Sequence, residues 1–196
     1  KVFSKLSTYV LASLEKTKND VLDAYDAYDY ASAVQTLLNY LDVVTLHQSL
    51  LTLQNQPKTY LSYEIYTEEL ISRIYGTDRD FYYALHAFDV CEAMTNHRFL
   101  REAKYYKNTA VSLLQKKYGN ISYLTFMEAV FDAQISFAME DYYNCIEQAT
   151  LANDLWYPSQ NQQISLPYCP NPEAEFYTTL RLGIANVLLL CNAYGK

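Results

Sequence analysis

The chain has 196 residues, with 15 Lys plus Arg against 22 Asp plus Glu and a formal charge of −7. That balance supplies no phosphate-neutralising field and argues against general nucleic-acid binding. The 4 Gly and 5 Pro are too few for a hairpin-rich β protein or a glycine-rich nucleotide fold, and a chain this long buries a core without needing disulfides or metals.

Apolar residues recur at spacings of three and four nearly everywhere and clean alternation is absent, so the chain reads as all-α. Helices are predicted over 2–18, 20–27, 30–54, 58–75, 79–95, 98–117, 122–138, 141–156 and 173–194. Val2, Phe3, Leu6, Val10 and Leu14 place the first residues already inside a helical pattern, which reads as a single helical domain, 1–196, excised from a longer chain. Asn19-Asp20 is a cap candidate, and Gln54-Asn55-Gln56-Pro57 is a stop. Gly76-Thr77-Asp78 and Tyr118-Gly119-Asn120 each end one helix and open the next. The stretch 158–172 holds four of the five prolines and is the one long loop, a length usually tied to function or mobility. No run of 18 apolar residues occurs, so a membrane-spanning helix is not expected.

Catalysis needs converging groups, and none are legible. His47, His86 and His97 are scattered, with His47 and His86 expected at helix surfaces and His97 in a solvated turn. No Walker loop, GxSxG elbow or Cys–His dyad is present. Asp23, Asp26 and Asp29 read as a solvated acidic face rather than a cation site. The four cysteines lack CxxC spacing, which argues against zinc. Cys91 and Cys145 read as buried thiols, and Cys169 with Cys191 as disulfide candidates. Asn120-Ile121-Ser122 is a glycosylation sequon in a turn, which tips the compartment toward the secretory pathway. The expectation is a non-enzyme without cofactor or metal.

The strongest signal is internal. Cys91, Ala103 and Ala110 stand 42 residues before Ala133, Cys145 and Ala152, and the spacings within each set are 12 and 7. Apolar positions follow the same step: Phe81 with Tyr123, Leu85 with Met127, Phe88 with Val130, Leu100 with Tyr142, Leu113 with Leu155. Small residues at these intervals belong where helices cross, since larger ones would push the axes beyond about 8–10 Å. Val21, Ala33 and Tyr40 have the same spacings, with Val21 and Tyr40 in the places of small residues.

This spacing resembles the tetratricopeptide repeat (TPR). Glu140-Asp141-Tyr142-Tyr143-Asn144-Cys145-Ile146-Glu147 and Asp29-Tyr30-Ala31-Ser32-Ala33-Val34 look like that repeat's second-helix opening, although the period is 42 rather than about 34. The resemblance implies a right-handed stack of antiparallel helix hairpins. A longer correspondence sets Asp29-Tyr30 beside Asp141-Tyr142 and Glu64-Ile65-Tyr66-Thr67 beside Glu175-Phe176-Tyr177-Thr178. In this arrangement and in tyrosine use the chain resembles the helical domains of leprecan and cartilage-associated proteins and the peptide-binding domain of collagen prolyl 4-hydroxylase. Leu188-Leu189-Leu190-Cys191 looks like the helix end of a paired-cysteine motif whose second cysteine would fall at Gly195. Residues Leu6 through Leu41 also resemble the opening of a class I synthetase anticodon-binding bundle, but the net charge has the wrong sign for tRNA.

Tyrosine supplies 21 residues. Most should fill the core with the hydroxyl reaching water or a carbonyl. Adjacent pairs point about 100° apart on a helix, so one of each pair should be core and the other exposed. In a stack of hairpins the first helices line a concave groove, where exposed rings suit an extended or polyproline II peptide. Tyr66, Tyr82, Tyr83, Phe88 and Tyr123 are the groove candidates. The expected function is docking of a protein or peptide partner, with a proline-rich or collagen-like segment as the sharper version. The alternatives are an extracellular binding or structural component using the 158–172 loop as an interface, and a substrate-binding domain of a larger collagen-modifying enzyme. Oligomeric state is not legible.

Overall fold

A computed structural model of the chain describes residues 2–53, 67–157 and 164–196. Its helices are Val2–Asp26 (α1), Tyr30–Leu53 (α2), residues 67–75 (α3), Arg79–Asn96 (α4), Leu100–Tyr118 (α5), Ser122–Ala138 (α6), Tyr142–Trp156 (α7) and Pro172–Tyr194 (α8), with no strand among the described residues. The fold class is all-α. The expected helix over 58–66 lies outside the described residues.

One predicted break is absent. α1 runs through Asn19-Asp20 because Val10, Leu14 and Val21 bury one continuous face. Asn19 stays on the solvent side, where a polar residue in a helix costs only a few tenths of a kcal/mol. Lys16 and Asp20 then form an i,i+4 ion pair across the expected boundary.

Three hairpins, α1–α2, α4–α5 and α6–α7, share one turn geometry. The Asp29, Phe99 and Asp141 N–H groups donate to the carbonyls of Ala24, Met94 and Ser136 at 2.9–3.0 Å, satisfying carbonyls that a helix end otherwise leaves open. The residue before each is left-handed, with φ of 60°, 63° and 65° at Tyr28, Arg98 and Glu140. Four residues after each donor sit Ala33, Ala103 and Cys145, each fully buried. Asp29 and Asp141 also cap their helices: each accepts a hydrogen bond at Oδ1 from the backbone N–H three residues on, at 3.1 Å from Ser32 and 3.2 Å from Asn144. Phe99 makes no such bond, and its ring packs on the core. Asp78 precedes α4 without capping it, its carboxylate pairing with Lys117 at 3.0 Å instead.

All nine residues of the three spaced sets, from Val21 to Ala152, are buried. Between hairpins, α4 packs on α6 and α6 on α8, while α5 packs on α6 and α7 on α8. Most of the core is one cluster, with Phe88 and Phe131 stacked at 4.7 Å linking α4 to α6. A smaller cluster joins Ala133 to Cys145, Ala149 and Ala193. α8 comes close to α7 at Gly183, where a Cβ would fall 2.2 Å from the Trp156 indole. The Asn186 amide donates to the Ala149 carbonyl at 2.8 Å.

His47 and His86 are buried rather than at the surface. His47 lies on the same face of α2 as Leu37, Tyr40 and Val44, so packing takes it inward. Cys91 and Cys145 are buried thiols, and burial pushes Cys91 up to about 12. Cys169 and Cys191 are free. Cys169 precedes α8 beside Glu175, and Cys191 lies 16 residues further along the helix, about 24 Å at 1.5 Å per residue. A disulfide needs Cα atoms within about 7 Å, so the expected pairing is excluded.

Candidate functional site

The sequence candidates do not converge. Tyr66 lies outside the described residues. Phe88 and Tyr123 are 2% and 1% exposed and belong to the core, so they present no surface to a ligand. Tyr82 is half-buried and stacks on Tyr75 with centroids 3.5 Å apart. Burial and the neighbouring ring push the Tyr75 hydroxyl up to about 12. Tyr83 turns the other way, into a cleft of about 230 Å³ between α3, α4 and α5 with Ile71, Arg79 and Tyr105. The tyrosine pairs on α5 and α7 divide as their angular offset requires: Tyr106 is core and Tyr105 exposed, and Tyr143 is exposed beside half-buried Tyr142.

A larger groove of about 590 Å³ runs across the C-terminal halves of α4, α6 and α8. Its lining takes two residues four apart from each helix, Glu92 and Asn96 from α4, Gln134 and Ala138 from α6, and Ala185 and Leu189 from α8. Glu92 to Gln134 and Asn96 to Ala138 are again steps of 42. One end carries the rings of Phe137 and Tyr142, edge to face at 5.6 Å. The rim carries Arg98, Glu140 and Lys196, with the Arg98 guanidinium 3.0 Å from Glu140 Oε1.

The groove is electrically quiet despite the acidic chain. Arg181 of α8 reaches over to α4, donating to both Glu92 carboxylate oxygens at 2.8 and 3.1 Å and lying 3.8 Å from Asp89. The Asn96 and Gln134 carboxamides offer donors and acceptors, and Ala138, Ala185 and Leu189 supply apolar floor. A cleft of this size and mixed lining is ordinary for a bound segment. Nothing in it resembles a nucleophile with a base, and among the described residues no group of three His, Cys, Asp or Glu could hold a metal. No family model, curated protein or solved structure matches the chain.

In the described part of the loop before α8, Leu166 turns inward while Ser165, Pro167 and Tyr168 are exposed. Leu166 is core, its N–H donating to the buried Glu175 carboxylate. By length and composition alone, residues 175–194 of α8 are long and apolar enough to cross a membrane, which the expectation based on an 18-residue apolar run had passed over.

Of the groove residues, the sequence motifs include Glu140, Tyr142 and Leu189, the first two in a helix opening and the third at a helix end, and none of them as a groove candidate. Applying the 42-residue step to the neighbours of Cys91 and Ala133 would have paired Glu92 with Gln134. Nothing in the sequence fixes where α8 joins them, because the loop before it breaks the step.

Proposed function

We propose that the chain is a non-catalytic peptide-docking module, a TPR-like stack of hairpins whose first helices α4, α6 and α8 line the docking groove. The observation that carries this reading is the convergence of matched positions, Glu92, Gln134 and Ala185 with Asn96, Ala138 and Leu189, on one groove. Supporting it, α4 packs on α6 and α6 on α8, and the second helices α5 and α7 each pack on the following first helix, which is how stacked hairpins build a continuous surface.

The ligand is an extended segment of a partner protein, its backbone read by the Asn96 and Gln134 carboxamides. A proline-rich or collagen-like sequence fits through Phe137 and Tyr142 rather than through Tyr82 and Tyr83, since polyproline II segments dock on aromatic surfaces. Calorimetric titration with polyproline and (Pro-Pro-Gly) peptides tests that version, and absence of heat at millimolar peptide ends it. The groove itself is tested by selecting binders from a displayed random-peptide library. Binding should be lost in Gln134→Arg, which fills the groove, and kept in Tyr83→Ala. Binders insensitive to Gln134→Arg would overturn the groove.

A further inference from the structure

The outer face of α8 carries Tyr177, Leu180, Ile184, Val187, Cys191 and Tyr194, spaced by three, four, three, four and three. This is the a/d pattern of a coiled-coil seam, 3.5 residues per turn over two and a half heptads. Every member is exposed, the five apart from Cys191 between 37% at Val187 and 68% at Tyr194. Phe176 and Leu188 flank the seam and are exposed as well.

Ala185 and Leu189 line the same groove as Gln134 and Ala138. Both couples are four residues apart, and matching them couple to couple sets α8 51 residues from α6. On that register Leu180, Ile184 and Val187 fall where α6 has Ala129, Ala133 and Ser136 and α4 has Ala87, Cys91 and Met94. All six of those are buried. Ala133 packs on Cys145 and Ala149 of α7, and the Asn144 amide of α7 donates to Ser136 Oγ at 2.6 Å. The matching face of α6 is thus covered by an antiparallel helix, while on α8 no helix among the described residues does so.

We propose that a second copy of this chain covers it, the two α8 helices pairing antiparallel about a twofold axis. The seam is self-complementary in that arrangement: Tyr177 meets Tyr194 of the second copy, Leu180 meets Cys191, and Ile184 meets Val187, each layer occurring twice. Charge favours the same occupant and order. Between Glu175 and Lys196 the only Asp, Glu, Lys or Arg is Arg181, which is turned onto α4 by Glu92 and Asp89. A chain of net charge −7 therefore meets its copy on a face free of like-charge repulsion. Antiparallel order also brings Glu173 of one copy toward Lys196 of the other and opposes the helix dipoles, whereas parallel order sets Glu173 against Glu173.

Sedimentation equilibrium at micromolar concentration is expected to give twice the 22.7 kDa monomer mass. Ile184→Asp should halve it without changing the helical spectrum, because Ile184 is half-exposed and outside the core. Under mild oxidation Leu180→Cys should form a covalent dimer through Cys191 of the second copy, while the unaltered chain should not. A monomer at these concentrations, a dimer insensitive to Ile184→Asp, covalent dimers of the unaltered chain through Cys191, or a monomer that co-sediments with phosphatidylcholine vesicles would each overturn the pairing. The seam lies beside the groove, so loss of the dimer with retained peptide binding separates this inference from the docking reading.

Discussion

Arg98 and Glu140 hold the same place in consecutive hairpins, 42 residues apart, and their side chains meet at 3.0 Å across the boundary between α4–α5 and α6–α7. Both are left-handed, as is Tyr28 in the first hairpin. As an exposed pair they contribute little, about 0.2–1 kcal/mol. The backbone matters more: a non-glycine residue at φ near 60° costs about 1–2 kcal/mol. Tyr28 has 79% of its surface exposed and forms no core contact that would offset this cost. Tyr28→Gly should therefore stabilise the protein by roughly 0.5–1 kcal/mol after the unfolded-state entropy of glycine is counted. A thermal melt should show Tm higher by about 2 °C, whereas Tyr28→Ala should give no such gain.

The close approach of α7 and α8 rests on Gly183. A methyl group there would overlap the fixed part of the Trp156 indole, not a mobile side-chain tip. Gly183→Ala should destabilise by about 1–3 kcal/mol even though alanine is the better helix former. Ala103→Leu, at a fully buried crossing, should cost at least as much, and the exposed neighbour Tyr105→Leu should stay within about 0.5 kcal/mol. Urea titration of the three variants measures the order.

Lys107 on α5 is only 7% exposed, with its ammonium 2.8 Å from Asp132 and 3.5 Å from Glu128 on α6. Removing Asp132 leaves a buried cation with one distant carboxylate. Asp132→Ala should cost about 2 kcal/mol, below the full penalty for a buried pair because Asp132 is partly solvated. Lys107→Met keeps the packing and leaves a carboxylate that water can reach, so it should cost under about 1 kcal/mol. Denaturant midpoints of the two variants give the comparison.

Burial holds His47 below its ordinary 6.5. As pH falls the unfolded chain takes up that proton first, so the histidine's contribution to stability is intact above 6.5 and declines below it. Tm should drop between neutral pH and about pH 5.5, and His47→Gln should flatten that part of the profile. Asp29 acts lower on the scale. Its hydrogen bonds from Ser32 hold the carboxyl below 3.8, so its contribution is present above that value and is lost as pH falls through the folded-state pKa. Asp29→Asn should remove that acid-limb component, as read by melts in the acid range.

The sequence carried the helical class and most helix boundaries, because spacings of three and four and stops such as Gly119 act locally. It also marked the crossings at Cys91, Ala103, Cys145 and Ala152, where size alone is selected. It misplaced what depends on which face a helix turns inward. His47 followed Leu37 and Tyr40 into the core, and Phe88 and Tyr123 went the same way. Tyr82 and Tyr83, adjacent on α4, took up opposite surroundings. The groove was least legible, since Gln134, Ala138 and Leu189 are unremarkable residues made into a surface only by the register of three helices, and Pro158 to Pro172 interrupts that register before α8.

The most direct test is amide chemical-shift mapping during titration with a selected extended peptide. The account predicts perturbations centred on Glu92, Asn96, Gln134, Ala138, Ala185 and Leu189, with Tyr83 and Tyr105 unmoved. Perturbations centred on the Tyr83–Tyr105 cleft, with the Gln134 and Leu189 amides silent, would contradict it.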